Sequence, residues 1–136
     1  MASAGRPCQC GVTTRINDRG NLEIGGCDLT ELAKEYETPL YVIDEKTLRN
    51  ICQDYKKAFE KYPKTKMMYA SKALCVRSIA KILDEEGFGF DTVSAGEIHI
   101  VKNANINMGK VLFNGNNKSY EELKLAIKHP ELKKSY

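Results

Sequence analysis

An alternation that begins at Leu40 restricts the fold more than any other feature of this sequence. Four continuous apolar runs, Leu40–Ile43, Met67–Ala70, Phe88–Val93 and Val111–Phe113, are separated by segments with apolar residues at helical spacing. Short runs that are apolar on both faces read as strands of a parallel sheet buried between helices. Asp44 caps the first intervening helix. Leu48, Ile51, Cys52, Tyr55, Ala58, Phe59 and Tyr62 form its stripe, and Pro63 stops it. Val76, Ile79, Ala80, Ile82 and Leu83 mark the second helix, ended by Gly87. Ser94 and Glu97 read as a capping box before Ile98, Ile100, Val101 and Ala104. Ser119 caps the last helix, and His129-Pro130 ends it. The expected class is α/β.

The segment before Leu40 has a different character. Residues 1–12 are small, Gly- and Pro-containing and without periodicity, as in a leader. Thr13–Ile16 and Leu22–Ile24 flank an Asp/Gly-containing turn and predict a hairpin. Asp28, with Glu31 three residues on, predicts a capping box and a short helix to Tyr36. Leu40–Ile43 is expected to be a buried strand.

Composition removes several function classes. Twenty-one basic against 18 acidic residues give a formal charge of +3, too mild and too dispersed for a nucleic-acid surface. No apolar run approaches the ~20 residues of a membrane span. The first residues lack the apolar core of a secretory signal, so a cytoplasmic location is expected. Five cysteines, an odd number without framework spacing, fit a reducing compartment. Cys8-Gln9-Cys10 lacks the second ligand pair of a metal site, and no metal is expected.

In parallel α/β folds the chemistry gathers at the carboxyl ends of the strands. Here those ends carry polar groups three times in succession: Lys72, Asp91 and Asn114, each about one βα repeat from the last. A lysine held at a strand end and partly desolvated can act as a nucleophilic amine and form a Schiff base with a carbonyl compound. Its plain alternative is a solvated loop lysine. Asp91 on the neighbouring strand could stabilise a protonated nitrogen, or could be a capping carboxylate. Asn114 and Asn116 sit among ordinary turn formers. The Ser94–Glu97 helix start could take an anion, although capping alone accounts for it. His99 and His129 have no evident catalytic partner.

Four motifs in order carry a family resemblance. They are Pro39-Leu40-Tyr41-Val42-Ile43-Asp44, Tyr69-Ala70-Ser71-Lys72-Ala73, Gly87 through Glu97, and Gly115-Asn116-Asn117-Lys118-Ser119. The chain resembles the pyridoxal-phosphate-dependent decarboxylases with an alanine-racemase-like barrel. Within them, Leu22–Gly26 followed by Leu29–Ala33 is similar to the diaminopimelate decarboxylase branch.

The resemblance implies the first strands and helices of a (β/α)8 TIM-type barrel. A short N-terminal β segment belonging to a second β-domain would precede it. The implied boundaries are 1–44 for the leader, hairpin, short helix and strand of the β-domain, and 45–136 for the partial barrel. The resemblance further implies pyridoxal 5'-phosphate as cofactor, with Lys72 as the catalytic lysine bonded to it and Ala70 and Asp91 beside it. Glu97 and Asn116 match family motif positions of less defined role. The implied reaction is decarboxylation of meso-2,6-diaminopimelate to L-lysine and CO2. A homodimer is implied for a full-length member, with a small-molecule amino acid as substrate and neither nucleic acid nor membrane as partner.

Alternatives left open are a decarboxylase of another basic amino acid or of carboxynorspermidine, a non-catalytic pyridoxal-phosphate-binding protein, and an inactive fragment. The chain resembles about the first third of a member, since a full barrel takes roughly 250 residues. An open sheet edge and little activity in isolation are therefore expected. The tail Glu131–Tyr136 is not expected to form the next strand.

Overall fold

Asn17 starts the structure of the N-terminal region by folding the chain back on itself. Its Oδ1 accepts the backbone N–H groups of Arg19 and Asn21, each at 3.0 Å. That local turn brings β1 (Arg15–Ile16) antiparallel to β2 (Leu22–Ile24), with Ile16 opposite Leu22. The expected hairpin is present. It gains a strand that sequence reasoning missed: Gly25 and Gly26, at φ +62 and +85, turn the chain again and pair β3 (Cys27–Asp28) with β2. The computed structural model describes residues 13–134, so the expected leader with Cys8 and Cys10 lies outside the described residues.

Asp28 joins the hairpin to α1 (Leu29–Tyr36). Its carboxylate accepts Asn17 and Asn21 side-chain N–H groups at 2.8 and 3.0 Å, and the Thr30 hydroxyl and backbone N–H at 2.6 and 2.9 Å. These donors, the Thr30 hydroxyl foremost, hold its pKa far below the usual carboxylate range. The expected capping box does not form. Thr30 takes the cap, and Glu31 instead pairs with Lys34 at 3.1 Å.

Leu40–Ile43 corrects a second expectation. It follows the cis Thr38–Pro39 peptide, is not a strand, and is exposed, with Tyr41 at 99%. An apolar run becomes a strand only where a ladder receives its backbone. None of the described strands pairs with this one. Asp44 does cap α2 (Glu45–Ala58), accepting Lys46 and Thr47 N–H groups at 3.0 and 3.3 Å. The helix ends before Pro63. Phe59–Tyr62 continue as a tighter turn in which Tyr62 N–H reaches Phe59 C=O at 2.8 Å. The residue before a proline is disfavoured in α conformation, and the helix unwinds ahead of it.

The chain divides into two compact units, Met1–Ile51 and Cys52–Tyr136. In the second, β4 (Met68–Ala70), β5 (Gly89–Thr92), β6 (Val111–Phe113) and β7 (Lys133–Lys134) form one parallel sheet in that order. The α/β class therefore holds. The tail correction is β7: Leu112 lies opposite Lys133 and Phe113 opposite Lys134. Two lysines give no apolar signal, so this strand is defined by the β6 edge that it pairs with.

Helices α3 (Arg77–Glu85), α4 (Ala95–Asn103) and α5 (Tyr120–Lys128) connect the strands. Ile79 and Leu83 of α3, Ile98 and Val101 of α4, and Phe90, Thr92, Val111 and Phe113 of the sheet make the core. Gly87, at φ +82, closes α3 by letting Phe88 N–H reach Leu83 C=O at 2.9 Å, the Schellman pattern. Lys56 of α2 grips the C-terminus of α3, with Nζ 3.0 Å from both Glu86 Oε2 and Glu86 C=O. Among the described residues no helix is long and apolar enough to cross a membrane.

Two outcomes follow from these packing details. A Cβ on Gly89 would stand 2.5 Å from Met68 Sδ and 2.6 Å from the Lys110 carbonyl. The sulfur can rotate away, but the carbonyl cannot. Gly89→Ala therefore lowers stability by about 1–3 kcal/mol in urea denaturation, the range for overpacked cores. The second outcome concerns acid. Glu122 accepts backbone N–H groups of Ser119 and then Ala95, which lowers its pKa from the ordinary 4.5. A depressed folded pKa contributes stability that is present above about 4.5 and lost as pH falls through the folded value. The urea midpoint should fall on acidification below about pH 5, and Glu122→Gln should flatten that slope.

Candidate functional site

Lys72 lies in a single 3-10 turn, Ser71–Ala73, directly after β4. The turn is held from below by Tyr69, whose hydroxyl donates to Leu74 C=O at 3.0 Å. This bond spans the lysine, fixing the strand on one side and the exit on the other. Burial first, and then the electrostatic influence of Cys75, push the Tyr69 phenol above its ordinary pKa. Lys72 itself is exposed and makes no hydrogen bond or ion pair with any described residue.

The strand register sets what faces the lysine. Ala70 is opposite Asp91, and Asp91 is opposite Leu112. In a parallel pair such residues project from the same face. Phe90 and Thr92 point into the helix-covered core, so Gly89 and Asp91 take the other face. Ala70 is exposed and sets only a methyl beside the carboxylate. Asp91 Oδ1 is nevertheless buried and has no hydrogen-bond partner, and the same holds for Ser71 Oγ. Buried polar atoms are nearly always paired, and each exception calls for an explanation.

The structure thus brings Ala70 and Asp91 together and sets Lys72 just past their level. The remaining expected residues are placed otherwise. Glu97 is committed to the backbone: Oε2 accepts Val93 N–H at 2.9 Å and Oε1 accepts the Ser94 hydroxyl at 3.1 Å. Ser94 caps α4 as expected, but the Glu97 return bond reaches one residue further back than a capping box does. The true capping box is at Ser119 and Glu122. Val93, Ala95 and Glu97 N–H groups are all taken by side chains, which argues against an anion at this helix start. Asn116 is exposed in the 114–118 loop. His99 is bonded within its own helix to Asn103 at 2.8 Å, and His129 to Glu131 at 3.0 Å.

Sequence reasoning missed two participants, Tyr69 and Ser71, and expected Cys75 only to pack as a small hydrophobe at a helix start. Tyr69, read as strand filler, is the anchor of the lysine turn. Ser71 is fully buried next to an exposed lysine, and its only signal was being small. Cys75 packs behind the turn with Sγ 3.9 Å from Glu97 C=O. Its thiol is pushed up, first by burial and then by the Glu97 charge. The nearby Ser71 hydroxyl offsets part of that rise, without the full geometry of a hydrogen bond. No group of three or more metal-ligating side chains occurs among the described residues.

The model of the pyridoxal-dependent decarboxylase pyridoxal binding domain matches residues 46–131. The chain belongs to the pyridoxal-dependent decarboxylases. Among similar proteins, the diaminopimelate decarboxylase of Bacillus methanolicus is 42% identical over 118 residues, 86% of this chain and 27% of that protein. That of Methanothermobacter thermautotrophicus is 43% identical over 113 residues, 82% of this chain and 26% of that one. The crystal structure of diaminopimelate decarboxylase from M. jannaschii in co-complex with L-lysine superposes with a TM-score of 0.79 at 36% identity. It covers 87% of this chain and 28% of that one. The chain thus spans about a quarter of the length of the relatives it matches. Pyridoxal phosphate is the cofactor that accompanies the family. The residues present fit such a group: an exposed, unpaired amine, a small exposed residue at Ala70, and an unpartnered carboxylate oxygen that a bound donor would satisfy.

Cys75 gives a direct check on the environment behind the lysine turn. With its thiol raised and half-buried, it should react with iodoacetamide well after exposed Cys27 at pH 8. Peptide mass mapping over time reads the order, and equal rates would mean that the turn opens freely.

Proposed function

We propose that this chain supplies the cofactor-lysine segment of a diaminopimelate decarboxylase, which removes one carboxylate of meso-2,6-diaminopimelate as CO2 and yields L-lysine. The observation that carries the reading is the pair at one sheet edge: Lys72 with a free amine, and Asp91 with a buried, unpartnered oxygen in register with Ala70. Supporting the choice of substrate are relatives of that name at 42–43% identity, one of similar name having been crystallised with L-lysine. The consecutive strand order β4-β5-β6-β7, all parallel, supports the opening of a (β/α)8 barrel. The antiparallel sheet β1-β2-β3 supports a separate β-domain for 1–44, with the barrel portion in 45–136. We read the full-length protein as a homodimer.

Pyridoxal phosphate, when bound, supplies an electron sink for the pair left behind by departing CO2. The chain's own residues do the rest. The Lys72 amine would hold the cofactor aldehyde covalently, and when not so engaged its Nζ would carry a proton. The Asp91 carboxylate would accept a hydrogen bond from the group and favour positive charge near it. Ala70 would place only a methyl beside them. Tyr69 keeps Lys72 at the strand end through Leu74. Glu97 acts through Val93, and the role given to Asn116 is contact from the loop after β6.

The test is reductive trapping. Substoichiometric pyridoxal phosphate and borohydride should place one label on Lys72, found by peptide mapping, and Lys72→Arg should lose most of it. Label distributed evenly over the surface lysines would overturn the assignment.

A further inference from the structure

The backbone just beyond Asp91 is tied down by side chains that arrive from three directions. Val93 follows the last residue of β5, and Ala95 opens α4. Val93 N–H donates to Glu97 Oε2 at 2.9 Å, and Val93 C=O accepts from Lys118 Nζ at 2.8 Å. Ala95 N–H donates to Glu122 Oε1 at 3.1 Å. Strand ends and helix starts usually leave such groups to water. Here charged side chains take them, and bonds of that kind are stronger than neutral ones.

Lys118 does more than meet one carbonyl. Its ammonium also donates to Asn114 C=O, immediately after β6, and lies 3.7 Å from the centroid of the Phe113 ring. A cation over an aromatic face gains further attraction. Gly115 makes room for it. At φ +113, with no side chain, it leaves free the space where a Cβ would come within 3.0 Å of Lys118 Nζ. The lysine therefore bridges the carboxyl ends of β5 and β6. Those ends already share one ladder bond, Asn114 N–H to Thr92 C=O at 2.8 Å.

We infer that Lys118 is a positioning residue: by bridging the Val93 and Asn114 carbonyls it fixes the sheet edge that carries Asp91, and so sets the space in which Lys72 meets its cofactor. The inference rests on the reading of Lys72 as the cofactor lysine. It differs from a packing role, because the aliphatic stem of Lys118 could be kept while the ammonium and its bridge are lost.

Lys118→Met keeps that stem and removes the donor, and Lys118→Arg restores a cation. In the chain without cofactor, the amides of Val93 and Asn114 should exchange hydrogen about tenfold faster in Lys118→Met, while Phe90 and Val111 stay protected. Labelling of Lys72 by pyridoxal phosphate and borohydride should fall about threefold or more at a fixed cofactor concentration, and Lys118→Arg should recover both readouts. If Lys118→Met unfolds the unit, seen as lost protection at Phe90, Lys118→Gln takes the same measurements. Unchanged exchange at Val93 and Asn114 would overturn the bridge. Faster exchange with undiminished Lys72 labelling would overturn its link to the site. Absence of selective label in the unsubstituted chain would overturn the Lys72 reading, and the link with it, while the exchange result separately decides the bridge.

Discussion

The parallel register of β4, β5 and β6 is the constraint on which the second unit depends. Aligning Ala70, Asp91 and Leu112 in one row decides every side chain's face. Phe90, Thr92, Val111 and Phe113 go into the helix-covered core, and Gly89 and Asp91 go to the other side. A slip of one residue would exchange the two sets, burying a carboxylate among the helices and exposing two phenylalanines. Gly89 enforces the alignment locally, since Met68 Sδ and the Lys110 carbonyl fill the space beside its Cα. Thr92 adds a side-chain bond across the ladder, from Oγ1 to Leu112 C=O at 3.0 Å.

That register also explains which parts of the fold were legible in the sequence. Helices α3, α4 and α5 were readable because capping residues and apolar spacing act within a few residues of each other. Ser94, Ser119 and Gly87 do locally what their types predict. The β5 and β6 strands were readable because both faces are covered. Leu40–Ile43 has the same apolar signature as β5, yet becomes exposed chain: composition records the tendency to be buried, but cannot say whether a ladder will receive the strand. β7 is the reverse case. Lys133 and Lys134 look like tail, and pair because β6 offers an edge. β3 was too short for a period of two to show.

The site divides in the same way. Lys72 and Asp91 were singled out because βα repeats bring successive strand ends to one edge, and spacing is enough for that; Ala70 came from the family resemblance alone. Glu97 was recognised as a capping residue, but the reach of its carboxylate back to Val93 depends on the turn that β5 makes into α4. Tyr69 could not be identified from type. Its hydroxyl matters only because the turn after β4 returns Leu74 C=O to it.

Satisfied and unsatisfied polar groups are unevenly distributed along this edge, and the unevenness carries the functional argument. At the ends of β5 and β6, the Val93 amide and carbonyl, the Ala95 amide and the Asn114 carbonyl are each met by a charged side chain. A few residues away, Asp91 Oδ1 and Ser71 Oγ are buried and unmet, and the Lys72 amine is unpaired. Leaving a buried acceptor unpaired costs about 1–3 kcal/mol. A chain able to satisfy its loop backbone so fully could have satisfied Asp91 with one more donor. Among the described residues, the buried side-chain oxygens and nitrogens without a partner are these two, one on β5 and one in the turn that carries Lys72. Rigid backbone around open polar valences is the arrangement that lets a bound group complete the hydrogen bonding without first ordering the chain.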